Sequence, residues 1–119
     1  MLTFTNANVF NGRDDSLQPV NVTVSDDRIT KISGEPPTQG DVVDCGGRTL
    51  MPGMIDAHIH AYFYDLNMNR LQHLPMTTLA HHAANMLEDI LDRGFTTVRD
   101  TGGADYGLWM AIQQGLLTS

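Results

Sequence analysis

Two histidines one residue apart, His58 and His60, end an apolar run of strand length. Side chains alternate between the two faces of a β-strand, so both imidazoles lie on one face, about 6.5 to 7 Å apart along the strand. Imidazole nitrogens placed in this way can converge on one divalent ion. A histidine pair without metal is the alternative. Asp56 shares the face, and spacing and position alone leave both interpretations open.

The strand that carries the pair is predicted over residues 54–60, directly after the turn dipeptide Pro52-Gly53. Its opposite face is wholly apolar and is suited to packing against covering helices. The histidines then lie on the interior side at the carboxyl end of the strand, where α/β barrels place their active sites. The apolar face consists of Ile55, Ala57 and Ile59.

The residues after this strand predict alternating helices and strands. We expect an irregular stretch over 62–75, a helix over 78–93 capped by Thr77 or Thr78 and followed by Gly94, a strand over 95–98, and a helix over 105–114 that ends before Gly115. Strand and helix in alternation indicate an α/β fold with a parallel sheet. The long helix presents one apolar face: Leu79, Ala83, Met86, Leu87, Ile90 and Leu91.

The first 50 residues have a different, β-rich pattern. Polar and apolar residues interleave over 2–10, which predicts a first strand, and again over 20–24 and 29–33, which predict a hairpin. A surface loop at 34–40 precedes a short strand at 42–45. These strands have no helix to cover them, so both halves of the chain indicate an unfinished fold.

Charge and composition exclude several classes of partner. The formal net charge is −7, which disfavours a phosphate backbone or an anionic membrane surface. The opening residues have no basic stretch before an apolar run, and no 18-residue apolar segment occurs. The lone Cys45 cannot form a disulfide within the chain. We therefore expect a cytoplasmic protein that binds neither nucleic acid nor membrane.

Two segments resemble the amidohydrolase superfamily. Residues 51–60, Met-Pro-Gly-Met-Ile-Asp-Ala-His-Ile-His, resemble the Pro-Gly-x-Ile-Asp-x-His-x-His signature that opens its barrel. Residues 94–103 resemble the second-strand segment of the imidazolonepropionase-like branch, which includes metal-dependent prolidases. The resemblance implies the start of a (β/α)8 TIM-type barrel at 51–119, preceded by part of a small β-sandwich at 1–50.

In that family the histidines matching His58 and His60 bind the more buried of two divalent ions, usually zinc. The other ligands are a carboxylated lysine that bridges the ions, two later histidines and a late aspartate. Lys31, the only lysine, precedes the barrel and does not match the bridging residue. The resemblance thus implies an N-terminal segment of a hydrolase of amide-like carbon–nitrogen bonds, in dipeptides or cyclic amides. It implies that the complete protein is active and that the segment alone, without catalytic residues of its own, is inactive.

Other polar and aromatic residues are weaker candidates. Tyr62 lies in the first loop after the strand that carries His58 and His60, where it either lines a substrate pocket or packs within the loop. Arg99 and Asp100 end the second strand on the same side, where they either contact substrate, support a ligand or form a salt bridge. Asp56, on the same strand face as the histidines, is also a candidate for contacting substrate or supporting a ligand. The remaining histidines, His73, His81 and His82, are interpreted as ordinary loop and helix residues.

Two alternatives to the enzyme remain. One is a catalytically inactive, truncated metal-binding or assembly module, and the other is a small β-rich interaction domain with incidental histidines. The enzyme hypothesis implies a small-molecule substrate and the remainder of the same polypeptide as partners, and it leaves homo-oligomerisation open. Lysine, histidine and aspartate ligands further along the polypeptide would separate it from the first alternative.

Overall fold

The computed structural model of this chain describes residues 1–118. These residues form two compact units, Met1–Pro52 and the part from Gly53 onward. The boundary expected from the sequence lies two residues earlier, after residue 50. In the described range no helix is both long and apolar enough to cross a membrane.

The first unit contains two sheets. One has four strands in the order β5-β4-β1-β6, and the other has three strands in the order β3-β2-β7. The strands are β1 (Leu2–Thr5), β2 (Asn8–Val9), β3 (Gln18–Pro19), β4 (Asn21–Ser25), β5 (Arg28–Ser33), β6 (Asp41–Asp44) and β7 (Thr49–Leu50).

The predicted single strand over residues 2–10 is wrong, because the chain breaks at Asn6. This residue adopts a positive φ of 51° and its side-chain amide donates to Asp44 Oδ1 at 2.9 Å. The chain therefore leaves the four-stranded sheet after β1 and enters the three-stranded sheet as β2. The predicted hairpin is confirmed, since β4 and β5 pair in antiparallel fashion across a turn at Asp26.

The second unit alternates strands and helices as predicted. Its two strands pair in parallel, with the longest helix as the crossover between them. Among the described residues this sheet has only two strands, so the barrel is not closed. The elements are β8 (Met54–Ile59), α1 (Met68–Gln72), α2 (Met76–Asp92), β9 (Phe95–Asp100) and α3 (Tyr106–Gln113).

The helix boundaries differ from the predictions at two places. α2 begins at Met76, and Pro75 is its N-cap without a side-chain hydrogen bond, so the predicted cap at Thr77 or Thr78 is wrong. The Pro75 carbonyl accepts the first helical bonds, as the carbonyl of any N-cap residue does, and proline has no side-chain oxygen to accept from the free N–H groups of the first turn. α1 lies within the stretch expected to be irregular, where Asn67 accepts a bond from the backbone N–H of Arg70.

The core of the second unit forms where α2 and α3 cover the end of β8. Ala83 and Leu87 of α2 are buried against Ile59 and Leu108. Leu79, Met86 and Ile90 pack around them, so the predicted apolar face is confirmed at every position except Leu91. The prediction that the apolar face of β8 packs against helices is confirmed only at the carboxyl end of the strand. Ile55 is 69% exposed because the two helices extend over Ile59 and not over the beginning of the strand.

Candidate metal centre

The carboxyl end of β8 brings the rings of His58 and His60 together. Their Nε2 atoms lie 3.3 Å apart, and the ring centroids are 5.2 Å apart with planes inclined at 74°. Two nitrogens bound to one zinc ion at 2.0 to 2.1 Å with tetrahedral angles are separated by about 3.3 to 3.4 Å. The pair therefore has the separation required of two ligands of one ion.

The ring of His60 is held on its other side by the loop after β9. Its Nδ1 lies 2.8 Å from the carbonyl oxygen of Gly102. A carbonyl only accepts, so Nδ1 must be the donor, and in a neutral imidazole Nε2 then carries the lone pair that a metal needs. This is the usual arrangement of a metal-ligating histidine, in which a backbone carbonyl or carboxylate fixes the tautomer.

An aromatic ring supports one face of His60. Phe63 stacks on the imidazole with centroids 4.8 Å apart and planes 12° from parallel. Gly103 makes this packing possible, since a Cβ atom there would lie 2.7 Å from Phe63 Cε1. Gly103 also has a φ of +109°, a conformation that other residues rarely adopt. Phe63 belongs to the aromatic stretch 62–64 after β8, and no local sequence pattern indicates that it packs on Gly103.

Asp100 ties together the two chain segments that surround His60. Its Oδ2 accepts from the backbone N–H of Ala61 and its Oδ1 from that of Gly102, both at 2.8 Å. The neighbouring Thr101 N–H donates to the Ile59 carbonyl at 3.0 Å. Arg99 and Asp100, the two candidates at the end of β9, thus both lie at this end of the sheet. Of the two, only Asp100 bonds to the segments that surround His60.

Asp56 and Arg99 differ in their surroundings. Asp56 Oδ1 accepts from the backbone N–H of His58 at 3.0 Å, so this carboxylate bonds to the backbone of its own strand, β8. Arg99 is exposed. Within residues 1–118, neither Arg99 nor Asp100 forms the salt bridge considered from the sequence.

Tyr62 belongs to the core of the second unit. It is 7% exposed, and its hydroxyl donates to Asp105 Oδ1 at 3.3 Å. Burial, followed by the negative charge of Asp105, raises the pKa of Tyr62 above its ordinary value. Its neighbours Phe63 and Tyr64 remain more than one-third exposed, so they are the aromatic residues of this loop that solvent or substrate can reach.

The other histidines lie apart from the pair. His81 is exposed on α2, His82 stacks on Tyr64 with centroids 3.9 Å apart, and His73 Nδ1 lies 2.6 Å from the Asn69 carbonyl oxygen. These contacts agree with ordinary helix and loop roles.

The number of available ligands is limited in the described chain. Between Met1 and Thr118, no three side chains of histidine, cysteine, aspartate or glutamate are close enough to hold an ion together. Lys31 forms an ion pair with Glu35 in the first unit, with 2.6 Å between Nζ and Oε2. The residues present therefore fit two positions of a metal site and not a complete one.

Known proteins match a large part of this chain. A sequence model of the amidohydrolase family matches residues 49–116. Imidazolonepropionase from Thermoplasma acidophilum is 31% identical over 103 residues, which cover 76% of this chain and 23% of that protein. The chain thus spans about a quarter of the length of this relative.

Two solved structures superpose on almost the whole chain. A crystal structure of an amidohydrolase is 32% identical with a TM-score of 0.91, and it covers 99% of this chain and 29% of its own. A prolidase complexed with N-methylphosphonate-L-proline is 30% identical with a TM-score of 0.91, and it covers 99% of this chain and 30% of its own.

Proposed function

This chain belongs to the amidohydrolase family, and from that membership we propose that it supplies His58 and His60 as the first two ligands of a divalent-metal hydrolase. The observation that carries the proposal is the 3.3 Å between their Nε2 atoms, which suits two ligands of one ion. The proposed reaction is hydrolysis of an amide-like carbon–nitrogen bond in a dipeptide or a cyclic amide. The similarity to a prolidase and to an imidazolonepropionase supports this substrate class.

We further propose that the chain works as the opening part of a longer polypeptide. Its matches cover 23% to 30% of the relatives described above. The sheet formed by β8 and β9 leaves Ile55 69% exposed, which suits an apolar face that further chain covers. The bridging lysine, two more histidines and an aspartate would come from the remainder of the polypeptide. We propose zinc in a binuclear site and a cytoplasmic location for the complete protein.

The residues of this chain would orient one side of the site. His60, with Nδ1 donating to the Gly102 carbonyl, presents the Nε2 lone pair toward His58. Phe63 lies flat on the His60 ring and shields that face from water. A divalent ion, when bound, acidifies its water and polarises the carbonyl of the scissile bond.

The inactive-module alternative has one supporting observation. The described residues provide two histidine ligands, whereas a catalytic zinc site has three protein ligands. We therefore propose that the 119-residue chain alone is a weak metal-binding module and that hydrolysis requires the complete polypeptide.

The proposal is tested by metal analysis and hydrolysis assays on the complete gene product. We expect His58→Ala and His60→Ala each to lower the bound zinc and to abolish turnover of dipeptides and cyclic amides. His81→Ala removes an exposed helix histidine and serves as the matched control, with metal content and turnover unchanged. Full metal occupancy in both His58→Ala and His60→Ala would contradict the assignment.

A further inference from the structure

We propose that Asp100 is a positioning residue for His60, acting through the backbone of Gly102. The inference rests on the proposed role of His60 as a metal ligand. It is carried by a continuous series of hydrogen bonds that joins the Asp100 carboxylate to the His60 ring, all of them 2.8 Å long.

Both oxygens of the Asp100 carboxylate are used. Oδ2 accepts from the N–H of Ala61, just past β8, and Oδ1 accepts from the N–H of Gly102, in the loop after β9. Ala61 is 1% exposed, so its N–H has no access to water as a substitute partner. The carboxylate therefore fixes the separation of the two segments that leave the ends of β8 and β9.

Gly102 transmits this restraint to the histidine. Its N–H is bonded to Asp100, and its carbonyl accepts from His60 Nδ1. Its φ of +153° lies in a region that L side chains rarely adopt, so glycine allows the carbonyl to point at the ring. With the loop held by Asp100, the carbonyl selects the His60 tautomer in which Nδ1 carries the proton.

The consequence for metal binding lies at the opposite nitrogen. A proton on Nδ1 leaves the Nε2 lone pair directed toward His58 Nε2, 3.3 Å away. An aspartate is required at position 100 because two N–H donors face it. Asparagine would present an NH₂ group to one of them, and the loop would lose one of its two anchors.

The experiment uses the 119-residue chain with ¹⁵N-labelled histidines, at an alkaline pH at which imidazoles are neutral. In the wild type we expect His60 to be protonated on Nδ1. In Asp100→Asn we expect a mixture of tautomers and a zinc Kd raised about tenfold, the lower end of the usual effect of losing a partner that orients a ligand. Backbone amide signals from α2 report whether each variant keeps its fold.

Asp105→Asn is the matched control. Asp105 lies near the same loop, but the Tyr62 hydroxyl and the Leu108 N–H both bond to its Oδ1, so an asparagine oxygen can replace that atom. We expect this variant to keep the wild-type tautomer and zinc affinity.

The wild-type tautomer decides the inference even if Asp100→Asn fails to fold. A wild-type His60 protonated on Nε2 would overturn it, as would Asp100→Asn with an unchanged tautomer and unchanged zinc affinity. If the wild-type chain binds no zinc, the proposal that it is a weak metal-binding module by itself fails. The effect of Asp100→Asn on the tautomer still supports or overturns the positioning role in that case.

Discussion

His58 Nε2 and His60 Nε2 face each other at 3.3 Å with their ring planes inclined at 74°. This separation equals that of two nitrogen ligands on one tetrahedral zinc ion, whose other two positions would have to be filled by other groups. The ligands in residues 1–118 do not fill those positions. The chain should therefore bind zinc weakly and place its water poorly.

We predict that the 119-residue chain alone has no hydrolase activity. Two protein ligands are one fewer than catalytic zinc normally has, so the ion is held weakly. The measurement is turnover of dipeptides and cyclic amides with added zinc, beside the complete gene product as the positive control. Zinc-dependent turnover by the chain at a rate comparable to that of the complete protein would contradict the account.

We predict that Gly53→Ala destabilises the second unit by about 1 to 3 kcal/mol, the usual cost of overpacking. The new Cβ would overlap the side chain of Thr96 on β9, so strand or side chain must shift. Gly34→Ala is the control, because a Cβ there meets no atom within 4 Å. Urea unfolding compares the two variants, and equal stability would show that the space beside Gly53 is not restricted.

We predict that Leu87→Ala lowers the free energy of unfolding by about 2 to 5 kcal/mol, as cavities in packed cores do. Leu87 is 3% exposed in the cluster formed by β8, α2 and α3. Leu66→Ala serves as the comparison, because Leu66 is 97% exposed and its loss should change stability by no more than about 0.5 kcal/mol. Thermal unfolding followed by circular dichroism gives both values. Similar values for the two variants would mean that α2 does not pack as described.

We predict that the stability of the chain falls above pH 10 more steeply than that of Tyr62→Phe. The pKa of Tyr62 is raised from 10.0 in the folded chain, chiefly by burial and then by Asp105. Below the unfolded pKa both states keep the proton and stability is fully present. As the pH rises through the folded pKa, the unfolded state has already lost its proton, so this contribution to stability is lost. Urea midpoints measured on both sides of pH 10 test the difference, and parallel profiles would refute it.

Regular periodic patterns were sufficient to predict much of the second unit. The spacing of Leu79, Ala83 and Leu87 predicted the inward face of α2, and Gly94 predicted its end. These signals are local, since a helix end and an apolar face depend on residues within a few turns. The alternation of strands and helices predicted the α/β class in the same way. The described residues form only two strands of the expected barrel, so they do not close it.

Features that depend on tertiary contacts were missed. The break at Asn6 requires a positive φ in a residue other than glycine, and its bond to Asp44 joins positions 38 residues apart in sequence. The start of α2 at Pro75 was missed for a different reason, because this helix begins without a side-chain cap and a prediction from threonine capping cannot detect it.

The sequence predicts that the two histidine rings lie together but not which residues hold them in place. The spacing of His58 and His60 places both rings on one face of β8 because strand side chains alternate. The bond from His60 to the Gly102 carbonyl depends on how a loop 42 residues away returns to β8, and Phe63 packs against Gly103 of that loop. Gly102-Gly103 indicates a loop there, but a double glycine suits several kinds of turn equally well.

The central claim is that His58 and His60 bind one ion together, and zinc titration of the ¹⁵N-histidine-labelled chain tests it most directly. We predict that the Nε2 signals of both residues shift together to an end point of one zinc per chain, while the signal of the exposed His81 does not follow them. Shifts at His81 or His82 without shifts at His58 and His60, or independent titration of the two ligands, would contradict the account.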